Sequence, residues 1–376
     1  MAGATSFVVQ TRSAARAARE LAAALPRVAR PAGALVFASG ALAESAEALA
    51  RELGAAAPGV PLLLATGAGV LTERGEVEND SAAAGVIWAG GRTEVLSITA
   101  TGADEAMEGL ARALTDRSAT SAPTALSFVR PEGFSPASLE PLWSARVTPH
   151  LFGAGTTGVD PICIDAEGRL TSGRAAALLI RGLSAPVIRS SPACRLLSPL
   201  RRITETRGAL VTRIEGEPAL DALSAVGEAL AGQPLVFAVL GEGDPGEGRP
   251  ELLVRAVQGV DPVRRGLLIS DEVREGTLMA FAVRDPARAR ADLEAAARDA
   301  LRTAAGAAPR FGIYVSCAGR GAALYGSPDV DTKILRSRFG DMPFAGLASS
   351  FEIAPHAGRA SLQLYTGVIA LFSAPS

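Results

Sequence analysis

The sequence has few of the residues on which metal sites, disulfide frameworks and nucleic-acid surfaces depend. It contains three cysteines, none of them in a CxxC pair, and two histidines. These counts argue against a disulfide scaffold, a zinc ribbon and a histidine-rich metal site. Lys333 is the only lysine, and the formal net charge is −2 over 376 residues. Because proteins that neutralise phosphates usually carry a basic excess, we expect no nucleic-acid partner.

Long apolar runs are also missing. No apolar stretch reaches the roughly 20 residues that a membrane-spanning helix needs, so we expect no membrane partner. The N-terminal segment lacks the apolar region of a secretory signal, and its Ser13 is suited to cap a helix. Hydrophobic residues still make up 48% of the chain, which is enough to bury a large core. These features predict a soluble cytoplasmic protein, and its length predicts two domains.

The same order of predicted strands and helices, read from hydrophobic periodicity, occurs three times along the chain. A strand leads into an amphipathic helix, then a second strand, a second helix and a third strand that begins with proline. The strands begin near Phe7, Ala34 and Pro61 in the first copy, near Val95, Thr124 and Pro149 in the second, and near Leu278, Phe311 and Pro343 in the third. This recurrence predicts a structural duplication.

Strand-rich segments lie between the copies. Gly85–Ala89 and Glu94–Thr99 predict a hairpin across Gly90 and Gly91. The whole pattern predicts an α/β fold of two duplicated domains, with mixed sheets built from repeated β-α-β-α-β units and interleaved hairpins. We place the domains at residues 1–205 and 206–376, and we expect adjacent βαβ strands to be parallel.

The segment Gly241–Gly246 has the GxGxxG pattern of dinucleotide-binding loops. Its Glu242 and Asp244 would repel phosphate, and Pro250 and a strand follow where a nucleotide site needs a helix. We therefore interpret the segment as a turn and expect no cofactor.

Two loops of the third copy carry the residues best suited to contact a ligand. The candidates are Cys317, Gly319, Arg320 and Gly321 after the second strand, and Ser349, Ser350 and Glu352 after the third. Parallel strands would bring both loops to one carboxyl edge, where open α/β sheets bind ligands. Arg320 would hold a carboxylate and Glu352 an ammonium or hydroxyl group, which suits an amino-acid-like zwitterion or an anion. An internal Arg320–Glu352 ion pair is the equally weighted alternative.

Cys317 has two interpretations. With His356 as a base it would act as a thiolate nucleophile in a hydrolase or transferase. As a small residue that closes an apolar strand it would be largely buried and structural. We favour the structural role, because its spacing from His356 matches no Cys/His arrangement with a physical rationale, and we expect no catalytic residue and no metal ligand.

Several segments resemble the FIST family. The stretch CRLLSPLRRITETRGALVTRIEGEPAL resembles the joint between the two FIST halves, SCAGRGAALYG the family's Cys-x-x-Arg-Gly motif, and MPFAGLASSFEIAP its Pro-led strand. The resemblance runs roughly from Pro31 to Phe372. The residues that match the C-terminal motifs are Cys317, Gly319, Arg320, Gly321, Pro343, Gly346 and Glu352.

The resemblance implies a sensory module for a small ligand, with amino acids among the suggested ligands and no catalytic residues. FIST domains occur beside kinase, cyclase or chemoreceptor outputs in bacterial signalling proteins, and in eukaryotic F-box proteins. We therefore expect an intracellular sensor that signals through a separate protein partner. A scaffold whose pocket has lost its ligand is a further alternative. The chain departs from the family pattern at Phe351, where glycine is usual, and at Val70, where the first copy has lost a glutamate.

Overall fold

The structure is a computed structural model that describes residues 3–118, 123–144, 150–230, 235–241 and 252–374. The chain forms two compact units. The first comprises Met1–Ser191, Leu293–Leu362 and Gly367–Ser376, and the second comprises Pro192–Asp292 and Gln363–Thr366. A single boundary between residues 205 and 206 does not describe these units, and that division stays a prediction.

The first unit contains three six-stranded sheets, each built around one copy of the repeat. The first copy consists of β1 (Ala4–Gln10), α1 (Ala14–Ala24), β2 (Pro31–Ser39), α2 (Ala41–Glu44), α3 (Ala46–Ala56), β3 (Leu62–Thr66), β4 (Gly69–Thr72), β5 (Gly75–Glu78) and β6 (Ala82–Ala89). The second consists of β7 (Arg92–Ile98), α4 (Ala103–Arg117), β8 (Thr124–Val129), a 3-10 helix (Pro136–Ser144), β9 (Leu151–Gly155), β10 (Ile162–Ile164), β11 (Leu170–Ser172) and β12 (Ala175–Arg181).

The third copy begins with β13 (Val187–Pro192) and resumes after the second unit. The second unit contains β14 (Cys194–Leu196), β15 (Arg201–Arg207), β16 (Leu210–Ile214), β17 (Glu217–Pro218), α5 (Ala219–Ser224), β18 (Phe237–Gly241), β19 (Leu252–Asp261), β20 (Gly266–Ile269) and β21 (Leu278–Arg284). The third copy then continues with α6 (Pro286–Thr303), β22 (Pro309–Cys317), α7 (Gly321–Tyr325), α8 (Val330–Phe339), β23 (Phe344–Ser349), β24 (Glu352–His356), β25 (Arg359–Gln363) and β26 (Thr366–Ser373).

The three copies share one strand order. It is β1-β6-β2-β3 in the first sheet, β7-β12-β8-β9 in the second and β13-β26-β22-β23 in the third. In every copy the second and third strands are parallel neighbours. The prediction that the strands near Phe311 and Pro343 are parallel is therefore confirmed.

Each copy also extends the sheet of another copy. The strands that follow each third strand leave their own sheet: β4 pairs with β23, β10 with β3, and β24 with β9, all antiparallel. The exchange is cyclic, because the first copy extends the third sheet, the second copy the first sheet, and the third copy the second sheet. It brings the ends of the three third strands into contact.

Two predictions about this unit are wrong. The Leu278 strand does not open the third copy, because β21 belongs to the sheet of the second unit and β13 occupies the equivalent position. The predicted hairpin across Gly90 and Gly91 does not form either. Both edges of β6 are occupied by β1 and β2, so β7 pairs with β12 in another sheet. The two glycines, each at positive φ, carry the chain from one sheet to the next.

Local sequence rules explain the helices and the core. Ser13 Oγ accepts a hydrogen bond from the Arg16 N–H at the start of α1, and Asp285 Oδ1 accepts one from the Arg288 N–H at the start of α6. The inner faces of all three sheets share one apolar core, which includes Phe37, Phe128, Phe152, Phe311 and Phe372. None of the helices in the described ranges is long and apolar enough to cross a membrane.

The second unit is a closed ring of six antiparallel strands in the order β21-β15-β16-β20-β19-β18, with β18 pairing again with β21. Its interior is apolar, with Val211, Leu267 and Phe281 among the buried residues. Residues 242–251, which hold most of the GxGxxG segment, and Pro149 lie outside the described residues.

Candidate functional site

The two predicted loops lie side by side at the carboxyl edge of β22 and β23. Cys317 and Ser349 are partners in the parallel register of these strands. The Ala318 N–H donates a hydrogen bond to the Ser349 carbonyl at 2.8 Å, which ties one loop to the other. The structure therefore brings the candidate residues of both loops to one edge of the sheet.

Backbone hydrogen bonds link this edge to the equivalent edges of the other two copies. The bonds run from Ala68 N to Ala348 O (2.8 Å), from Gly155 N to Phe351 O (2.8 Å), from Ser350 N to Gly155 O (3.1 Å) and from Thr157 N to Thr66 O (3.2 Å). Hydrogen bonds thus link the ends of all three third strands to one another.

Ser349 and Glu352 form the polar centre of the edge, and both are fully buried. Ser349 Oγ lies 2.9 Å from Glu352 Oε1 and 3.0 Å from the Ser316 carbonyl oxygen. Glu352 reaches this position from β24, whose pairing with β9 sets it opposite Ala154. Ser350, in the turn between them, is exposed.

Cys317 is half-buried, so the expectation that it is largely buried and structural stays a prediction. The end of β22 opens toward the exposed Ala318, and this leaves the cysteine side chain partly accessible. The other two cysteines are buried. Cys317 is therefore the most accessible of the described cysteines. Burial also raises the pKa of the Cys163 thiol to about 12.

Gly319 and Gly321 shape the turn after Cys317. The Arg320 N–H donates to the Cys317 carbonyl at 2.8 Å, which closes the turn around Gly319. Gly321 has a φ of +53°, and a Cβ there would lie 2.5 Å from the carboxyl carbon of Glu78. That carboxylate accepts the Ala322 N–H at the start of α7. Both the positive φ and the approach of the Glu78 carboxylate favour glycine at position 321.

Arg320 does not face Glu352, and the alternative of an internal Arg320–Glu352 pair is also wrong. The guanidinium instead binds Asp331 of α8 through two hydrogen bonds, Nε to Oδ2 at 2.8 Å and Nη2 to Oδ1 at 3.2 Å. Its remaining groups donate to the Ser191 carbonyl and to the Tyr325 hydroxyl. Arg320 is 1% exposed and Asp331 2%. The Arg320 side chain points away from Glu352 because its acceptors lie elsewhere. They are the Asp331 carboxylate, the Tyr325 hydroxyl and the Ser191 carbonyl.

Asp331 is held ionised by its neighbours. Burial alone would raise the pKa of Asp331, but the charge of Arg320 and the hydrogen bonds from Arg320, Tyr325 and Tyr314 outweigh it and lower the pKa. Burial raises the pKa of Tyr314, whose hydroxyl donates to Asp331 Oδ2 at 2.7 Å. This network fixes α7 and α8 against β22 and is structural.

Glu76 is a residue that the sequence pattern did not single out. The Glu76 N–H donates to Asp329 Oδ1 at 2.9 Å, so β5 packs beside the start of α8. Burial, followed by the charges of Glu78, Asp331 and Asp329, raises the pKa of Glu76 to about 8. The side chain is therefore mostly protonated at neutral pH. Because β5 is more than 240 residues from α7 in sequence, no local pattern indicates this cluster.

A surface cleft of about 560 Å³ lies beside the same interlaced segment, in the first and second copies. Ser45, Arg130 and Asp160 are among the residues that line it. Arg130 is paired with Glu132 at 2.8 Å and with Asp160 at 3.5 Å, which leaves the cleft without an uncompensated cation. No cluster of three metal-ligating side chains occurs in the described part of the chain.

Comparison with known proteins places these features in a family. The FIST N domain matches residues 32–217, and the FIST C domain matches residues 218–355. Similar proteins include an uncharacterized protein of Mycobacterium tuberculosis, 33% identical over 213 residues. An uncharacterized protein of Mycobacterium bovis is 32% identical over 215 residues. Each alignment covers 54% of this chain and 54% of the relative, so the chain spans about half the length of the curated relatives it matches. Together the two domain matches cover most of the sequence, and the chain belongs to the FIST family of sensory domains.

Proposed function

We propose that this protein is a cytoplasmic sensor that binds a small polar metabolite at the carboxyl edge of β22 and β23 and signals through a separate protein. The observation that supports it is the convergence of Cys317, Ser349 and Glu352 at the edge where three strand ends interlace. Carboxyl edges of parallel strands are the usual ligand sites of open α/β sheets. The family's role in sensing small ligands agrees with this location.

The chemistry of the edge favours a ligand that carries an amine or hydroxyl group. Glu352 offers a carboxylate, and Ser349 and Ser350 offer hydroxyl groups. Cys317 adds a half-buried thiol. Arg320 cannot anchor a ligand carboxylate, because Asp331 already occupies its fork. An amino-acid-like ligand would therefore be recognised through its ammonium group, and its carboxylate would rely on backbone N–H groups or solvent.

A thermal-shift screen over amino acids, amines and small hydroxy acids tests the proposal. A ligand present at 100 times its Kd adds about 2.7 kcal/mol to the free energy of unfolding. Glu352→Gln should abolish the shift caused by the best compound. Glu167→Gln is the matched control, because Glu167 is an exposed carboxylate that pairs with Arg169. A shift that survives Glu352→Gln, or no shift with any compound, would contradict the proposal.

The half-burial of Cys317 favours one second candidate, an enzyme that uses this thiol as a nucleophile. A sensor predicts that Cys317→Ser leaves ligand binding nearly unchanged. An enzyme predicts rapid labelling of Cys317 by iodoacetamide at neutral pH, together with loss of turnover of a screened compound. Labelling with no effect on turnover would leave the sensor as the better account.

Signalling requires that ligand binding at one sheet edge change the structure or stability of another part of the protein. The interlaced hydrogen bonds give a physical route, since Ser350 bonds to Gly155 and Ala348 to Ala68. We expect a ligand to increase hydrogen-exchange protection at residues 66–68 and 155–157 as well as at 349–352. Protection confined to 349–352 would speak against transmission through the three copies.

A further inference from the structure

A second arginine, Arg284, has two N–H-bearing atoms without an acceptor among the described residues. Arg284 is the last residue of β21, opposite Cys194 of β14, in the second unit. Its side chain is half-buried, but its Nε and Nη2 atoms are both buried and have no hydrogen-bond partner among the residues that the structure describes. These two atoms form the edge of the guanidinium that binds planar or tetrahedral oxyanions through parallel hydrogen bonds.

Leaving those donors unsatisfied is costly. Buried polar groups in native proteins are nearly always hydrogen-bonded, and an exception calls for an explanation such as an absent ion or ligand. The two fully buried arginines in the described part of the chain follow the rule. Arg255, 2% exposed, donates to Asp271 at 2.7 Å, and Arg320 is bound by Asp331. Arg284 therefore differs from Arg255 and Arg320, whose charges are paired with carboxylates.

The aromatic residue beside Arg284 is held in a strained conformation. Tyr365 has a φ of +57°, a left-handed conformation that is rare for a bulky residue. The guanidinium carbon of Arg284 lies 5.8 Å from the centre of the Tyr365 ring, and that ring packs edge-on against Phe237 at 4.5 Å. Strained backbone of this kind concentrates at ligand clamps. Here the strained residue carries the ring that lies next to the guanidinium.

We propose that Arg284 and Tyr365 form an oxyanion-binding site on the second unit, which takes a carboxylate or phosphate group on the Nε–Nη2 edge of Arg284. The Tyr365 ring lies within cation–π distance of the guanidinium and takes up none of its N–H donors. The bound oxyanion supplies acceptors for Nε and Nη2 of Arg284, which have none among the described residues. This proposal does not depend on the function proposed for the edge at Ser349 and Glu352.

Calorimetric titration with inorganic phosphate and with acetate tests this site, with sodium chloride at matched ionic strength as the reference. We expect at least one of the two oxyanions to bind the native protein and to raise its melting temperature above that seen in chloride. Binding of phosphate alone identifies a phosphate-bearing ligand, and binding of acetate alone identifies a carboxylate. Arg284→Met should weaken binding at least tenfold.

Two further variants keep the test decisive. Arg284→Lys keeps the charge but loses the two-donor edge, so we expect it to bind more weakly than the native protein even if Arg284→Met fails to fold. Arg264→Met is the matched control, because Arg264 is an exposed arginine of the same unit that pairs with Asp261, and it should bind as the native protein does. Absence of binding by both anions, or equal binding in Arg284→Lys and the native protein, would overturn the proposal.

Discussion

The third copy of the first unit and the strand ring of the second unit each carry a buried guanidinium group, and they satisfy it differently. Around Arg320, one carboxylate, one hydroxyl and one carbonyl take up its donors. Around Arg284, an aromatic ring lies close, but the Nε–Nη2 edge has no acceptor within the described chain. Burial of a cation is thus insufficient to identify a binding site. What distinguishes the two arginines is whether the fold itself provides the acceptors.

The largest expected effect comes from breaking the satisfied network. Arg320→Met leaves Asp331 buried beside two tyrosines without its cation, and removal of one partner from a buried ion pair typically costs about 3–5 kcal/mol. We expect a large fall in the melting temperature in the absence of any ligand, measured by calorimetry. An unchanged melting temperature would mean that the network is not structural and would return Arg320 to the list of ligand contacts.

The next effect concerns the acid beside that network and depends on pH. The folded protein holds the Glu76 proton up to a pKa of about 8, whereas the unfolded chain releases it near the ordinary value of 4.5. Native stability therefore falls as pH rises through this interval and then levels off. Glu76→Gln has no proton to lose, so it should be more stable than the native protein by about 3 kcal/mol at pH 7. Denaturant unfolding at several pH values checks this, and the difference should vanish near pH 4.

A smaller effect is expected in the turn that carries Arg320. Gly321→Ala places a Cβ against the Glu78 carboxylate and forces alanine into positive φ. Such strain costs about 1–3 kcal/mol. Gly326→Ala is a useful control, because Gly326 also has positive φ but no atom within 4 Å of the added Cβ. If urea unfolding gives equal losses for the two variants, the contact with Glu78 contributes nothing.

The smallest effect on folding is expected at Arg284. Arg284→Met removes a cation with a poorly satisfied edge, so the free energy of unfolding should change by less than about 1 kcal/mol or increase slightly. The free energies of unfolding of Arg284→Met and Arg320→Met are compared in the same buffer. Their difference measures how much the acceptors around Arg320 contribute to stability. A loss as large as that of Arg320→Met would show that Arg284 is satisfied in solution, and the comparison would fail.

The sequence carried enough information to predict the parallel strands at the candidate edge. Pro-led third strands and amphipathic helices are local patterns, so β22, β23 and the adjacency of Cys317 and Ser349 follow from them. The first strand of the third copy was not predictable in this way. The second unit separates β13 from α6 by more than 90 residues, and hydrophobic periodicity does not reveal that a strand resumes its sheet after such an insertion.

The partner of Arg320 was missed for a different reason. Asp331 lies only 11 residues away, so the signal was present in the sequence. The interpretation assumed that Arg320 pointed to the same side as Glu352. Which face of the sheet a loop side chain chooses depends on where its acceptors lie in three dimensions. Glu78 and Glu76 had no local signal, because the cyclic exchange of strands brings β5 to α7 and α8.

The exchange of strands among the copies also determines how the chain is made and lost. No copy can complete its sheet alone, because β3 needs β10, β9 needs β24, and β23 needs β4. The sheet of the second copy is complete only after β24 has left the ribosome. Its partner strand β9 is synthesised about 200 residues earlier. Long-range pairing of this kind slows folding and leaves strand edges exposed in the meantime. We therefore expect the nascent chain to expose unpaired strand edges until its last copy has been synthesised.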